Sequence, residues 1–233
     1  MNIEELINIC IFKKRIICIV GGGGKTTLMF MLARECAKAG KKVIVSTTTH
    51  ILKPSENYAS KMEEIEKYWN KGDYAVIGDI DPLNSEKLVF PQTALYDEIK
   101  SRADIILLEA DGAKGLPCKV PAEHEPVIAI DCDLVIGVMG MKAMGHKLKD
   151  VCFRFDTNGA WFSKKRDEEL NEDTAVRILS SEKGTRKYVG EREYIVVLNQ
   201  CDDEDLLERA GVIADNLLTE YEIRTVCTEL KKQ

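Results

Sequence analysis

The chain has 233 residues, 45% of them apolar, with 33 basic and 39 acidic side chains and a net charge of −6. That suits one α/β domain with a full core and excludes a disordered chain. The acidic balance, with no basic run or basic–aromatic patch, argues against nucleic acid as a partner, and no apolar run approaches the roughly 20 residues of a membrane span.

Residues 2–10 carry the period of a short amphipathic helix. Glu4 and Glu5 precede Lys13, Lys14 and Arg15, the reverse of a secretory signal, so a cytoplasmic location is expected. Residues 16–20 are a β-branched strand pattern, followed by a helical pattern from Lys25 to Ala39 that Gly40 stops from the usual C-terminal glycine position. Strand patterns recur at 43–47, 74–80, 104–108, 133–138, 194–198 and 223–227, and helical ones at 61–70, 93–102, 170–179 and 203–220. Residues 140–165 carry no readable pattern. The strands are short and continuously apolar and alternate with helices, so the expected fold class is α/β, with a mainly parallel sheet covered on both faces. Ligands of such sheets bind beyond the carboxyl ends of the strands.

Between the first strand and its helix lie Gly21, Gly22, Gly23, Gly24, Lys25, Thr26 and Thr27. Glycine N–H groups can turn inward around an anion, and the helix start adds unpaired N–H groups and the positive end of its dipole. Lys25 suits the outer phosphates and the Thr26 hydroxyl suits Mg²⁺. The spacing is two residues shorter than the common phosphate loop and is similar to the compact loop of the Mur-type amide ligases. ATP or GTP with Mg²⁺ is the expected ligand, and 1–233 reads as a single nucleotide-binding domain with an irregular insert near 112–165.

The strand at 104–108 runs into Glu109 and Asp111, acids able to hold Mg²⁺ or orient water beside the phosphate loop. Lys25, Glu109 and Asp111 are therefore the catalytic candidates, and Thr26 with Glu109 the metal candidates. Thr49 and His50 close the second strand and are substrate candidates, as are Lys114, Lys119, Glu123 and His124 in a proline-rich loop past the acids. Cys118 and His124 there are also possible metal ligands. Asn199-Gln200-Cys201-Asp202 resembles the guanine-reading Asn-Lys-x-Asp motif of GTPases, with Gln for Lys. A bland reading competes, in which the acids at 202–205 cap a helix. The eight cysteines form no C-x-x-C pair, so reduced, mostly buried thiols are expected.

Four motifs in order resemble the YqeC family: residues 20–27, the Thr-Thr-Thr-His-Ile run at 47–51, Leu-Glu-Ala-Asp-Gly-Ala at 108–113 and Pro-Ala-Glu-His-Glu-Pro at 121–126. The resemblance runs from about residue 14 to 206. It implies a P-loop NTPase-like three-layer architecture and a role in maturing a selenium-containing molybdenum cofactor, with a selenium-dependent molybdenum hydroxylase or its cofactor intermediate as partner. A nucleoside triphosphatase or phosphoryl-transfer enzyme is one expectation. A GTPase switch or metallochaperone delivering a metal or cofactor to a partner is the alternative, since Glu109 also resembles the strand-end acid of nickel-insertion GTPases.

Overall fold

The computed structural model describes residues 1–12, 15–161 and 164–229. Lys13 and Lys14, and Phe162 and Ser163 of the unread 140–165 stretch, lie outside them. In chain order come α1 (Ile3–Phe12), β1 (Arg15–Gly21), α2 (Lys25–Lys38), β2 (Val43–Thr47), β3 (Ile51–Leu52), β4 (Tyr58–Ala59), α3 (Met62–Asn70) and β5 (Ala75–Ile77). Then follow β6 (Asp79–Asp81), β7 (Asn84–Val89), α4 (Thr93–Arg102), β8 (Ile105–Glu109), β9 (Cys118–Lys119), β10 (Leu134–Gly140), α5 (Leu148–Val151) and β11 (Cys152–Phe153). The chain closes with α6 (Phe155–Asn158), α7 (Glu172–Ser180), β12 (Glu193–Asn199), α8 (Glu204–Tyr221) and β13 (Arg224–Cys227).

Eight strands form one sheet in the order β13-β12-β10-β1-β8-β2-β5-β4, and all its pairs are parallel. Its two faces can be read off β1. Ile17 and Ile19 pack with α1 and α2, while Ile16, Cys18 and Val20 pack with α3, α4, α7 and α8. Side chains of a strand alternate between faces, so a continuous apolar run is what a doubly covered strand requires. On α2, Leu28, Leu32 and Cys36, with Met29, Ala33 and Ala37 beside them, form the buried stripe at helical spacing. The α/β parallel architecture of three layers is as expected from the sequence.

Two sequence expectations need correction. The single strand at 74–80 is two: β5 stays in the large sheet, and past Gly78 the chain enters β6, which pairs with β7, itself paired with β3, in a separate three-stranded sheet. At Gly78 a Cβ would lie 2.7 Å from the Val89 carbonyl oxygen, so the strands approach where only glycine fits. The helix at 170–179 begins at Glu172, because Asn171 caps it by accepting from the Thr174 N–H at 3.0 Å. The irregular chain near 112–165 flanks the strand expected at 133–138. Strand β10 interrupts it, and the two irregular stretches meet again where β9 pairs with β11.

Candidate functional site

Because the large sheet is parallel, Gly21, Thr47, Glu109, Gly140 and Asn199 all lie at its carboxyl edge. Strand β1 is central, paired with β8 on one side and β10 on the other, so the glycine loop leaves the sheet between two flanking strand ends.

Helix α2 begins at Lys25, with Gly24 as its first cap in a left-handed conformation (φ 111°) and no side-chain cap. Its first internal hydrogen bond runs from Leu28 N–H to Gly24 O at 2.9 Å. The N–H groups of Lys25, Thr26 and Thr27 therefore have no acceptor within the helix, a ready anion site with the dipole behind it. Neither Gly23 nor Gly24 tolerates a side chain. A Cβ on Gly23 would fall 2.1 Å from Gly140 N, and one on Gly24 2.3 Å from Asn199 Nδ2.

The other glycine N–H groups behave differently from the sequence expectation. Gly21 donates to both oxygens of Asp111 (3.1 Å each), Gly22 to Val138 O (2.9 Å) and Gly23 to Leu116 O (3.1 Å). The donors left open are thus those at the start of α2, while the glycines anchor the loop to β10 and to the loop after β8.

Lys25 is 5% exposed, and its ammonium donates to Gly21 O at 2.6 Å, with Asp111 at 3.3 Å and Glu109 at 3.9 Å. Thr26 is exposed and its hydroxyl donates to Glu109 Oε2 at 2.8 Å. Burial pushes the Glu109 carboxyl above its ordinary range, against the opposing pull of Lys25 and the Thr26 hydroxyl. Glu109 and Asp111, two residues apart, both reach the lysine.

Asp111 continues into a chain of buried charges. Lys119, 2% exposed, lies 3.2 Å from Asp111 and 2.7 Å from Glu125, and donates to Gly112 O at 2.6 Å. Arg154 pairs with the same Glu125. Burial raises the Glu125 carboxyl, but the Lys119 hydrogen bond and charge, the Ala122 N–H and Arg154 outweigh it and hold the group below its usual range. Lys119 is therefore a buried link rather than a surface lysine. Glu125 stood in the quoted proline-rich motif without being singled out, and Arg154 had no signal at all.

The remaining candidates separate. Thr47 and Thr48 brace the strand end: the Thr47 hydroxyl and the Thr48 N–H both donate to Glu109 O, at 2.9 and 3.1 Å. Thr49 lies 3.4 Å from the Thr47 hydroxyl, and His50 turns away to Asp81, 3.5 Å off, on the small sheet. Lys114 is exposed over the Phe153 ring (5.4 Å). Glu123 and His124 are exposed, and the Glu123 carbonyl accepts from Lys187 and Tyr188 at 2.8 Å each. Cys118 is buried with its Sγ 3.3 Å from that of Cys152, and among the described residues no group of three or more His, Cys, Asp and Glu is arranged to hold a metal.

Asn199 is 1% exposed and uses both ends of its amide inside the protein: Nδ2 donates to Gly23 O and Oδ1 accepts from the Thr228 hydroxyl, each at 2.9 Å. It braces the glycine loop against the end of β13. Asp202 lies on the surface, 2.6 Å from Lys142, beside an open depression lined by Lys142, Met144, His146 and Leu206. The cap of α8 is Asp203, which accepts from Leu206 N–H at 2.8 Å, so Asp202 is not the capping residue. Seven of the eight cysteines are buried. Cys227 is the half-buried one, and the hydrogen bond from Cys201 outweighs burial to bring its thiol down to about 7.

A family model described as YqeC protein matches residues 17–156, more than half of the chain. An Escherichia coli (strain K12) protein described as "Uncharacterized protein YqeC" is 32% identical over 151 residues, covering 58% of this chain and 56% of its own length. The chain thus spans just over half of that relative. The matched family segment holds the glycine loop, Glu109, Asp111, Lys119, Glu125 and Arg154, while Asn199 and Asp202 fall beyond it. No helix among the described residues is long and apolar enough to cross a membrane.

Proposed function

The chain belongs to the YqeC family, and on that footing we propose that it is a Mg²⁺-dependent nucleoside triphosphate-binding protein, a hydrolase or phosphoryl-transfer enzyme. The observation that carries this reading is the hydrogen bond from the Thr26 hydroxyl to Glu109, made where α2 begins directly after the glycine loop. One hydroxyl from a helix start and one carboxylate from the neighbouring strand end are the small protein share of a Mg²⁺ site that phosphate oxygens and water complete. The uncapped first turn of α2 supplies N–H donors for the phosphates, and Lys25 a mobile charge beside them. When bound, Mg²⁺ would neutralise phosphate charge. Glu109 would hold it through Thr26 or orient an attacking water, and Asp111 would set the position of Lys25 from its place on Gly21 N–H.

The process served, maturation of a selenium-containing molybdenum cofactor, rests on the family resemblance alone. The test is calorimetry of ATP and GTP with and without Mg²⁺, followed by product analysis with a selenium donor supplied. Lys25→Ala should weaken binding roughly 10- to 150-fold, the worth of a hydrogen bond to a charged group. Thr26→Ala should lose mainly the Mg²⁺-dependent part. Equal affinities in parent and Lys25→Ala refute the assignment.

A further inference from the structure

Basic and acidic side chains alternate from the glycine loop outward through five residues: Lys25, Asp111, Lys119, Glu125 and Arg154. The first four are buried, and Asp111 is only 2% exposed. Its carboxylate touches the Gly21 N–H through both oxygens and the lysine of the same loop at 3.3 Å. Those are the group types, a glycine N–H and an ammonium, with which such a loop greets a phosphate. We propose that Asp111 is an internal acceptor that competes with an arriving phosphate for Lys25, and that Lys119 is the partner that Asp111 retains when Lys25 is drawn away. The proposal rests on the reading of the loop as a triphosphate site.

The physical reason lies in the cost of burying a carboxylate without a partner. If Asp111 had Lys25 alone, the lysine could leave only by stranding a buried charge, and phosphate would have to overcome that. Lys119, 3.2 Å from Asp111 on the far side, removes the penalty. Lys119 is in turn neutralised by Glu125 at 2.7 Å and shares it with Arg154. The loop that carries Lys119 and Glu125 is thereby coupled to the position of Lys25, so Asp111 and Lys119 are positioning residues for the phosphate lysine. Glu109, at 3.9 Å, is a weaker hold on the same ammonium.

Triphosphate binding by calorimetry and acylation of Lys25 by acetic anhydride, read by peptide mass spectrometry, test this together. Asp111→Asn should bind Mg²⁺·ATP or Mg²⁺·GTP more tightly than the parent, on the order of 3- to 10-fold. The same substitution should make Lys25 acylate faster in protein without nucleotide. Lys119→Met should do the reverse, weakening binding by on the order of 10-fold and slowing acylation, whereas Lys119→Arg should stay near the parent. Weaker binding in Asp111→Asn, or parental binding and acylation in Lys119→Met, overturns the proposal. Should Asp111→Asn fail to fold, the two Lys119 variants decide. A parent that binds neither triphosphate defeats the reading of the loop, while the acylation rates still judge whether Asp111 holds Lys25.

Discussion

Replacing Asn199 by Ala distinguishes a brace from a base reader. The amide is 1% exposed and makes two hydrogen bonds, to Gly23 O and from the Thr228 hydroxyl, both at 2.9 Å. The alanine leaves those two groups without their partner in a buried place. An unsatisfied buried polar group costs about 1–3 kcal/mol, so the expected loss is about 2–5 kcal/mol after partial relief by water. For a chain of this length each kcal/mol shifts the midpoint by about 2–4 °C, giving a fall of roughly 4–20 °C without any nucleotide. Thermal unfolding followed by circular dichroism measures it. Because Gly23 is the anchored residue, triphosphate affinity should fall for ATP and GTP alike. A base contact would do the opposite: little change in the free protein, and a loss confined to one base. An unchanged midpoint together with a guanine-selective loss would refute the reasoning.

Burial raises the Glu109 carboxyl in the folded chain, so the folded state keeps a proton that the unfolded chain releases near pH 4.3. Stability from this group therefore declines as pH rises from there through the folded value, then levels. The stability of the parent relative to Glu109→Gln should show that decline in denaturant titrations, and a flat difference from pH 4 to 7 would sink it. We predict that GTP is preferred over ATP through Asp202, whose two oxygens suit guanine's two donors. The preference should be modest, since Asp202 is exposed and paired with Lys142 at 2.6 Å. Asp202→Asn should shift preference toward xanthosine triphosphate, and equal binding of all three in parent and variant would remove any base-reading role. Cys227, held down to about 7 by Cys201, should be the first cysteine alkylated by iodoacetamide, with a midpoint near neutral pH. Alkylation of any buried cysteine ahead of it would contradict that assignment.

The buried charges set a limit on interpreting substitutions at the site. Lys25, Glu109, Asp111, Lys119 and Glu125 are each buried and mutually paired. Removing one strands its neighbour, so single losses overstate the worth of each contact and will not add. Isosteric amides at the acids disturb packing least.

The α/β class, the parallel sheet and the strand–glycine loop–helix unit were legible in the chain because each is written locally. Continuous β-branched runs mark strands buried on both faces, the 28–37 stripe marks α2, and Gly40 marks its end. The pairing of Thr26 with Glu109 could be anticipated, since Thr26 opens the helix that follows β1 and Glu109 ends the neighbouring β8, and a parallel sheet brings both to one edge. The break at Gly78 was hidden, because an apolar run that leaves one sheet for another reads as a single strand until its partners are known. The roles of Asn199, Lys119 and Arg154 needed the tertiary structure. Asn199 meets Gly23 across 176 residues of chain, and Gly21 meets Asp111 across 90. Local pattern determines which segments become strands and which faces they bury. Which carbonyl an amide finds, or which acid a lysine neutralises, follows from strand order and loop closure, and those are decided by the packing of the whole sheet.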